Sequence, residues 1–221
     1  MDLRTAFQGD FVLESERLLF RLLVAEDAED MYEYSREERL TRYLLWDPHP
    51  SRAYTVRYLE NVKNAYRDQR FFDFALVEKA SGKMIGTCGL TTVDCENQAC
   101  EIGYVLAPKY WGRGLGSEAV RTILSFAFLT LSFHRAEARF MEDNLASRRV
   151  AEKNGMRVEG FYRDRLFVKG AYQTVGIAAI LCEEFLQLFP SAVSPCRKKR
   201  PGDYPNARKR GFFASLFDHF I

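Results

Sequence analysis

Two periodicities divide the chain. Arg17-Leu18-Leu19-Phe20-Arg21-Leu22-Leu23 is a short apolar run of strand character, and Glu26, Asp27, Glu29 and Asp30 just after it suit the positive first turn of a helix. Across 51–66, Tyr54, Tyr58, Leu59, Val62 and Tyr66 recur at helical spacing. Segments 72–78 and 83–92 read as strands separated at Ser81-Gly82, and 100–106 as a third strand that runs into a glycine-rich turn. A helix rich in Ala, Leu, Ile and Phe follows over 117–131. Beyond it the pattern predicts a strand at 135–141, a helix at 145–153 capped by Asn144 and stopped at Asn154-Gly155, and strands at 157–168 and 173–182. The order β-α-α-β-β-β-α-β-α-β-β predicts a mixed α/β (α+β) domain, a mixed sheet flanked by helices. A purely parallel sheet would need a crossover helix between each adjacent pair of strands.

The turn between 100–106 and 117–131 reads Ala107-Pro108-Lys109-Tyr110-Trp111-Gly112-Arg113-Gly114-Leu115-Gly116-Ser117. Gly112, Gly114 and Gly116 lack Cβ atoms, so the backbone can turn sharply and bring its N–H groups to an anion at the positive end of the next helix. A phosphorylated cofactor is the expected ligand.

Composition narrows the class. With 47% hydrophobic and 14% aromatic residues in 221, the chain can bury one substantial core. No N-terminal apolar signal segment and no uncharged apolar run of membrane-spanning length is present, so a cytoplasmic location is the expectation. Cys88, Cys95, Cys100, Cys182 and Cys196 form neither a CxxC pair nor a cluster with histidine, which points to buried reduced thiols and to no metal site. His49, His134 and His219 have no triad or metal spacing. The net charge of +2 gives no argument for nucleic acid, but it is unevenly distributed. Arg197-Lys198-Lys199-Arg200 and Arg208-Lys209-Arg210 carry seven positive charges against Asp203, a local +6 that leaves −4 on the rest.

The turn, the preceding Glu101-Ile102-Gly103-Tyr104-Val105-Leu106 and the later Asn144-Leu145-Ala146-Ser147, in that order, resemble the GNAT superfamily of acyl-coenzyme A dependent N-acetyltransferases. The closest likeness within it is to the RimJ/RimL branch of ribosomal-protein N-terminal acetyltransferases. The resemblance covers 16–183 and implies a predominantly antiparallel central sheet, splayed at the acetyl-CoA site. It implies that the backbone from Gly112 through Arg113, Gly114, Leu115 and Gly116 to Ser117 cradles the coenzyme A diphosphate, with Arg113 adding charge. The backbone of Leu106 would bind or polarise the thioester carbonyl, and Asn144 would bond the pantetheine arm beside its ordinary role as helix N-cap. The usual family pattern begins with Gln or Arg where this chain has Trp111.

For the chemistry, Glu101 is the candidate base acting through water, with an ordered-water route or another carboxylate such as Asp164 as alternatives. In the histone-acetylating branch the catalytic glutamate stands one residue farther from the equivalent of Leu106, so Glu101 reaches the same face only if a bulge corrects the register. Ser147 could protonate or hydrogen-bond the leaving sulfur, or simply cap its helix; the tyrosine some members use as acid is replaced by Ala151. Trp46 and Asp47, in the proline-bounded segment joining the early helices, are the candidate acceptor contacts, against a packing role for Trp46.

The resulting expectation is an acetyl-CoA dependent N-acetyltransferase over 1–189 that acts on an amine, plausibly a protein N-terminal α-amino group. A small-amine (polyamine or antibiotic) acetyltransferase and a non-catalytic acyl-CoA-binding regulator are the alternatives. Residues 190–221 read as a basic proline-containing extension ending in an amphipathic stripe of Phe212, Phe213, Leu216, Phe217, Phe220 and Ile221. That stripe suits packing on the same subunit or in a homodimer, and the basic charge beside it raises contact with a ribosome or membrane.

Overall fold

The apolar runs assemble into one eight-stranded sheet in a computed structural model that describes residues 11–67 and 72–190. Its strands are β1 (Leu13–Glu14), β2 (Leu18–Arg21), β3 (Phe72–Glu78), β4 (Met84–Asp94), β5 (Ala99–Leu106), β6 (Arg135–Met141), β7 (Arg157–Val168) and β8 (Ala171–Leu181). They lie in the order β1-β2-β3-β4-β5-β6-β8-β7, antiparallel throughout except for β5 beside β6. The helices are α1 (Ala28–Ser35), α2 (Glu38–Thr41), α3 (Arg52–Arg67), α4 (Leu115–Ser125), α5 (Leu145–Lys153) and α6 (Cys182–Leu188). The mixed, helix-flanked sheet expected from the element order is the fold observed.

Both faces of the central strands are covered, which is why their sequences run apolar without clean alternation. Phe74 and Leu76 of β3, Cys88 and Leu90 of β4, and Ile102, Tyr104 and Leu106 of β5 share one face by register. Helix α4 covers it with buried Ala119, Val120, Ile123 and Leu124, and the Phe74 ring lies 5.9 Å from that of Phe126. Against the other face, Asp30 of α1 accepts from the Met84 N–H at 2.9 Å, and Tyr66 of α3 donates to the Asp73 carbonyl while accepting from the Leu23 N–H.

Several details escape a reading by periodicity. The helix expected over 117–131 is α-helical only to Ser125; Phe126–Thr130 is a π-turn. Phe126, Ala127 and Phe128 are all buried, more consecutive core positions than one 3.6-residue stripe presents, and the wider turn accommodates them. The last strand stops at Leu181, where the Glu184 carboxylate accepts the Leu181 N–H at 3.0 Å and starts α6. Strand β1 and helix α2 are too short to carry a period. Cys88, Cys100 and Cys182 are buried, whereas Cys95 is exposed in the β4–β5 turn, where Asp94 and Asn97 close the reversal and leave its side chain outside. Cys196 and the basic extension from 191 onward lie outside the described residues.

Candidate active site

Strands β5 and β6 pair only through Ala99↔Arg135, Cys100↔Ala136 and Glu101↔Glu137. Past Glu101 they part, while β5 stays paired to β4 as far as Leu106 and β6 stays paired to β8. The gap opens toward the glycine turn. Across its mouth the Trp111 indole N–H donates to the Leu106 carbonyl at 2.6 Å, tying the turn to the strand end it leaves.

The three glycines of the turn differ in what the backbone asks of them. Gly112 (φ +75°) and Gly114 (φ +80°) occupy the left-handed region, which costs L-residues with a Cβ. Gly116 is helical and lies beside a ring, and a Cβ there would make only ordinary contacts, with Tyr104 Cε2 at 3.4 Å and Val150 Cγ2 at 3.7 Å. Gly114 is the N-cap of α4 and provides no capping side chain, so the N–H groups of Leu115, Gly116 and Ser117 begin the helix without a side-chain acceptor; the first α-helical bond is Glu118 N–H to the Gly114 carbonyl. Leu115 and Gly116 are buried and Ser117 half-buried, so Leu115 has only its backbone to offer a ligand.

The surroundings fit an anion. Arg17 forms an ion pair with Glu118 at 2.7 Å and donates to the Arg113 carbonyl at 2.9 Å, so the one carboxylate of the first turn of α4 is held back by a cation. Although burial works against ionisation, the bonds from Ser15 and Arg17 hold the Glu118 carboxyl below its usual range. Arg113 is exposed, its guanidinium 5.2 Å from the Tyr110 ring. A groove of about 480 Å³ runs beside this helix end, and its lining sets Arg17, Arg121 and Ser117 against the carboxylates of Glu14, Glu16 and Glu118. The open cradle, the uncapped N–H groups and the two arginines match the donor set that a diphosphate requires.

On the α4 face the cradle meets the second motif. Asn144 caps α5, its Oδ1 accepting the Ser147 N–H at 3.1 Å. Ser147 lies close enough to the Tyr104 hydroxyl to favour its ionised form, and the Tyr104 ring lies against Gly116, so the cradle and the start of α5 meet at one tyrosine. Burial pushes the Tyr104 phenol up to about 12, and it keeps its proton at neutral pH. Tyr104 was not among the candidates read from sequence; its position two residues before Leu106, on the same face, was the available signal. Ala151 is buried.

Glu101 occupies the other face. The bulge lies in β4, where the register passes from Leu90↔Ile102 to Thr92↔Glu101, and β5 itself is regular. No slip in β5 brings Glu101 to the face of Leu106. It is 7% exposed, with Arg139 Nε at 3.4 Å and the Thr92 hydroxyl at 3.5 Å, beside the last paired residue before the gap. Burial raises its pKa above the ordinary carboxylate value; Arg139 opposes that rise and Glu137 adds to it.

On this second face, half-buried Trp46 packs at a tilt against His49 with centroids 5.3 Å apart, and His49 lies 4.9 Å from Tyr54 and 5.7 Å from Tyr58. The His49 Nδ1 meets the Thr55 hydroxyl at 2.9 Å, and burial lowers its pKa, so the ring is neutral. Asp47 is exposed, its carboxylate 3.7 Å from Lys169 Nζ. Lys169, at the tip of the β7–β8 hairpin, also donates to the Thr41 carbonyl at 2.6 Å and straps that hairpin to the end of α2. Asp164 is exposed on the irregular part of β7. The structure thus gathers the cradle, Asn144 and Ser147 on the α4 face, and places Glu101, Trp46 and Asp47 on the other. Among the described residues, no cluster of three metal-ligating side chains occurs and no helix is long and apolar enough to cross a membrane.

Comparison with known proteins agrees with this arrangement. Residues 17–157 match the family described as "Acetyltransferase (GNAT) domain". The uncharacterized N-acetyltransferase p20 of Bacillus licheniformis is 29% identical over 173 residues, covering 78% of this chain and 97% of p20. The [ribosomal protein uS5]-alanine N-acetyltransferase of Escherichia coli is 27% identical over 177 residues, 76% of this chain and 89% of that enzyme. Among solved structures, a GCN5-related N-acetyltransferase from Brucella melitensis superposes with a TM-score of 0.74 at 26% identity, covering 84% of this chain and 85% of its own. A parted β5–β6 pair leading into an uncapped, glycine-rich helix start, in a chain matched over most of its core, makes this protein a member of the GNAT family of N-acetyltransferases.

Proposed function

We propose that the protein transfers an acetyl group from acetyl-CoA to the N-terminal α-amino group of a protein. The observation that carries the donor half is the parting of β5 and β6 past Glu101, directly before a helix whose first N–H groups lack a capping side chain. In this reading the backbone from Gly112 through Ser117 holds the diphosphate, aided by Arg113 and Arg17, and the Leu106 backbone orients the acyl carbonyl in the gap. Asn144, which spends Oδ1 on its cap, offers its amide N–H₂ to the pantetheine arm. Acetyl-CoA supplies an activated thioester. The protein's share is to align an amine with it, exclude water and move two protons. Glu101 accepts the proton leaving the amine, through water, and Ser147, beside Tyr104, hydrogen-bonds the departing sulfur. Trp46 and Asp47 border the acceptor's approach.

The likeness to an enzyme whose name specifies a ribosomal-protein alanine supports a protein N-terminus over a small amine. The test is release of coenzyme A thiol from acetyl-CoA with three acceptor sets: N-terminal peptides of ribosomal proteins, the same peptides with blocked α-amines, and free polyamines and aminoglycosides. Turnover confined to the unblocked peptides is expected. Preference for small amines would replace the acceptor assignment, and tight coenzyme A binding without any turnover would favour a regulator.

A further inference from the structure

Among the described residues, Asp73 is a carboxylate without a counter-ion, in the second face of the sheet. It stands directly opposite Gly89 of β4, which in turn pairs with Gly103 of β5. Gly89 makes room for it: a Cβ there would fall 2.4 Å from Asp73 Cα and 2.8 Å from Asp73 Oδ1. The carboxylate is therefore free to lie over the neighbouring strand, on the side of β5 that carries Glu101. It accepts the Phe74 N–H at 3.1 Å and a bond from the Thr87 hydroxyl, both neutral donors. Among the described residues no lysine, arginine or histidine pairs with it. Its environment is aromatic: Tyr66 is bonded to its own carbonyl, and Tyr58, which continues into the His49–Trp46 pair, is close enough for its hydroxyl to feel the charge.

An ionised carboxylate taken from water without a cation is costly, and a cation brought in by a ligand would relieve that cost. We propose that Asp73 is the anionic anchor of the acceptor pocket and holds a second, non-reacting cationic group of the amine substrate. The spacing separates this group from the reacting nitrogen, since β3 lies two strands from β5, about 10 Å, and Gly103 lies three residues before Leu106, about another 10 Å along the strand, which together give roughly 14 Å. The chemistry is an amine bearing another positive charge roughly 10–14 Å away, whether a lysine or arginine side chain near a protein N-terminus or the far end of a linear diamine. The inference rests on the acetyl-transfer reading, and it adds the charge that the acceptor must carry.

The experiment compares matched acceptors at saturating acetyl-CoA. One arm uses peptides identical except for lysine or norleucine at position two, three or four; the other uses linear α,ω-diamines against monoamines of equal length. The wild type is expected to favour the cationic member of at least one arm by tenfold or more in KM, with kcat changed less than threefold. The arm that responds identifies the source of the charge. Asp73→Asn, and Asp73→Ser as a second variant, should erase the preference while leaving the acetyl-CoA KM and the far-UV spectrum unchanged. No preference in the wild type, a preference surviving both substitutions, or a loss confined to kcat would overturn the anchor. Calorimetric titration of the coenzyme A complex with the longest diamine and with a lysine peptide separates the two readings. Asp73-dependent binding without any turnover would retain the anchor and remove the transferase assignment, and absence of such binding would remove the anchor whatever the turnover.

Discussion

A carboxyl group that exchanges water for the interior of a sheet holds its proton more tightly, and Glu101 and Asp73 both do so. A base acts only when ionised, so the rate should rise with pH through a limb above the ordinary carboxylate range if Glu101 carries that role. Arg139 favours the charged form of Glu101. Arg139→Gln should therefore move the acidic limb of the kcat profile to higher pH. Glu101→Gln should lower kcat by about 10²–10⁴ and remove the limb. A limb that ignores Arg139→Gln would assign the titration to another group. For Asp73 the consequence is one of stability. Burial raises its pKa to about 7 in the folded protein, above its ordinary value. Between roughly pH 4 and 7 the folded state then binds more protons than the unfolded state, and stability falls as pH rises. Above pH 7 the penalty is fully present, with an upper bound of about 4 kcal/mol that partial exposure reduces. Asp73→Asn should accordingly stabilise the protein at pH 8 and lose that advantage below about pH 4, read as the difference in urea midpoint across the range.

At the scale of elements, the glycine turn and the α5 cap separate local roles from ligand roles. Gly114→Ala meets Arg17 only at 3.5 Å but must hold φ +80°, so it should cost about 1 kcal/mol and weaken coenzyme A binding. Gly116→Ala meets ordinary van der Waals contacts and should be nearly neutral in stability. Asn144→Ser keeps an oxygen for the Ser147 N–H and should preserve the melting temperature, whereas Asn144→Ala should lose about 1 kcal/mol. Reduced coenzyme A affinity in Asn144→Ser, with stability retained, would expose a cofactor role separate from the cap. Most of these elements were legible in sequence because their signals are local: the spacing of α3, the Asn144 cap, the apolar runs of β3 and β6, and the glycines before α4. The face of Glu101 follows from plain alternation in a regular β5, but the place of the one bulge near it, at Thr91 of the opposing strand, was not legible, because a partner's irregularity leaves no mark in the strand it pairs with. The Tyr104–Ser147 contact and the close approach of Asp73 to Gly89 join residues far apart in sequence, where no short period operates. Asp73 still left a trace as the one charge inside the otherwise apolar run Phe72-Asp73-Phe74-Ala75-Leu76-Val77.

For the whole molecule, the cradle belongs to one cooperative unit, because Arg17 at the start of β2 is pinned to Glu118 of α4 and Tyr104 of β5 lies against the start of α5. A ligand at the cradle should therefore stabilise the entire domain. Coenzyme A at one hundred times its Kd contributes about 2.7 kcal/mol, which for a domain of this size raises the melting temperature by roughly 5–11 °C. The charges proposed to meet the diphosphate are largely exposed, so raising salt from 0.05 to 0.5 M should shrink the shift. Arg17→Ala has two effects with different signatures. It releases Glu118 as an unopposed negative charge in the first turn of α4, and it removes a cation from the groove, so it should reduce the coenzyme A shift far more than it lowers the melting temperature of the unliganded protein. The double variant Arg17→Ala with Glu118→Gln removes the freed charge and should recover part of the shift. Recovery of none would mean that Arg17 acts only by its own charge, and equal losses with and without coenzyme A would mean that the ion pair serves the fold and not the cradle.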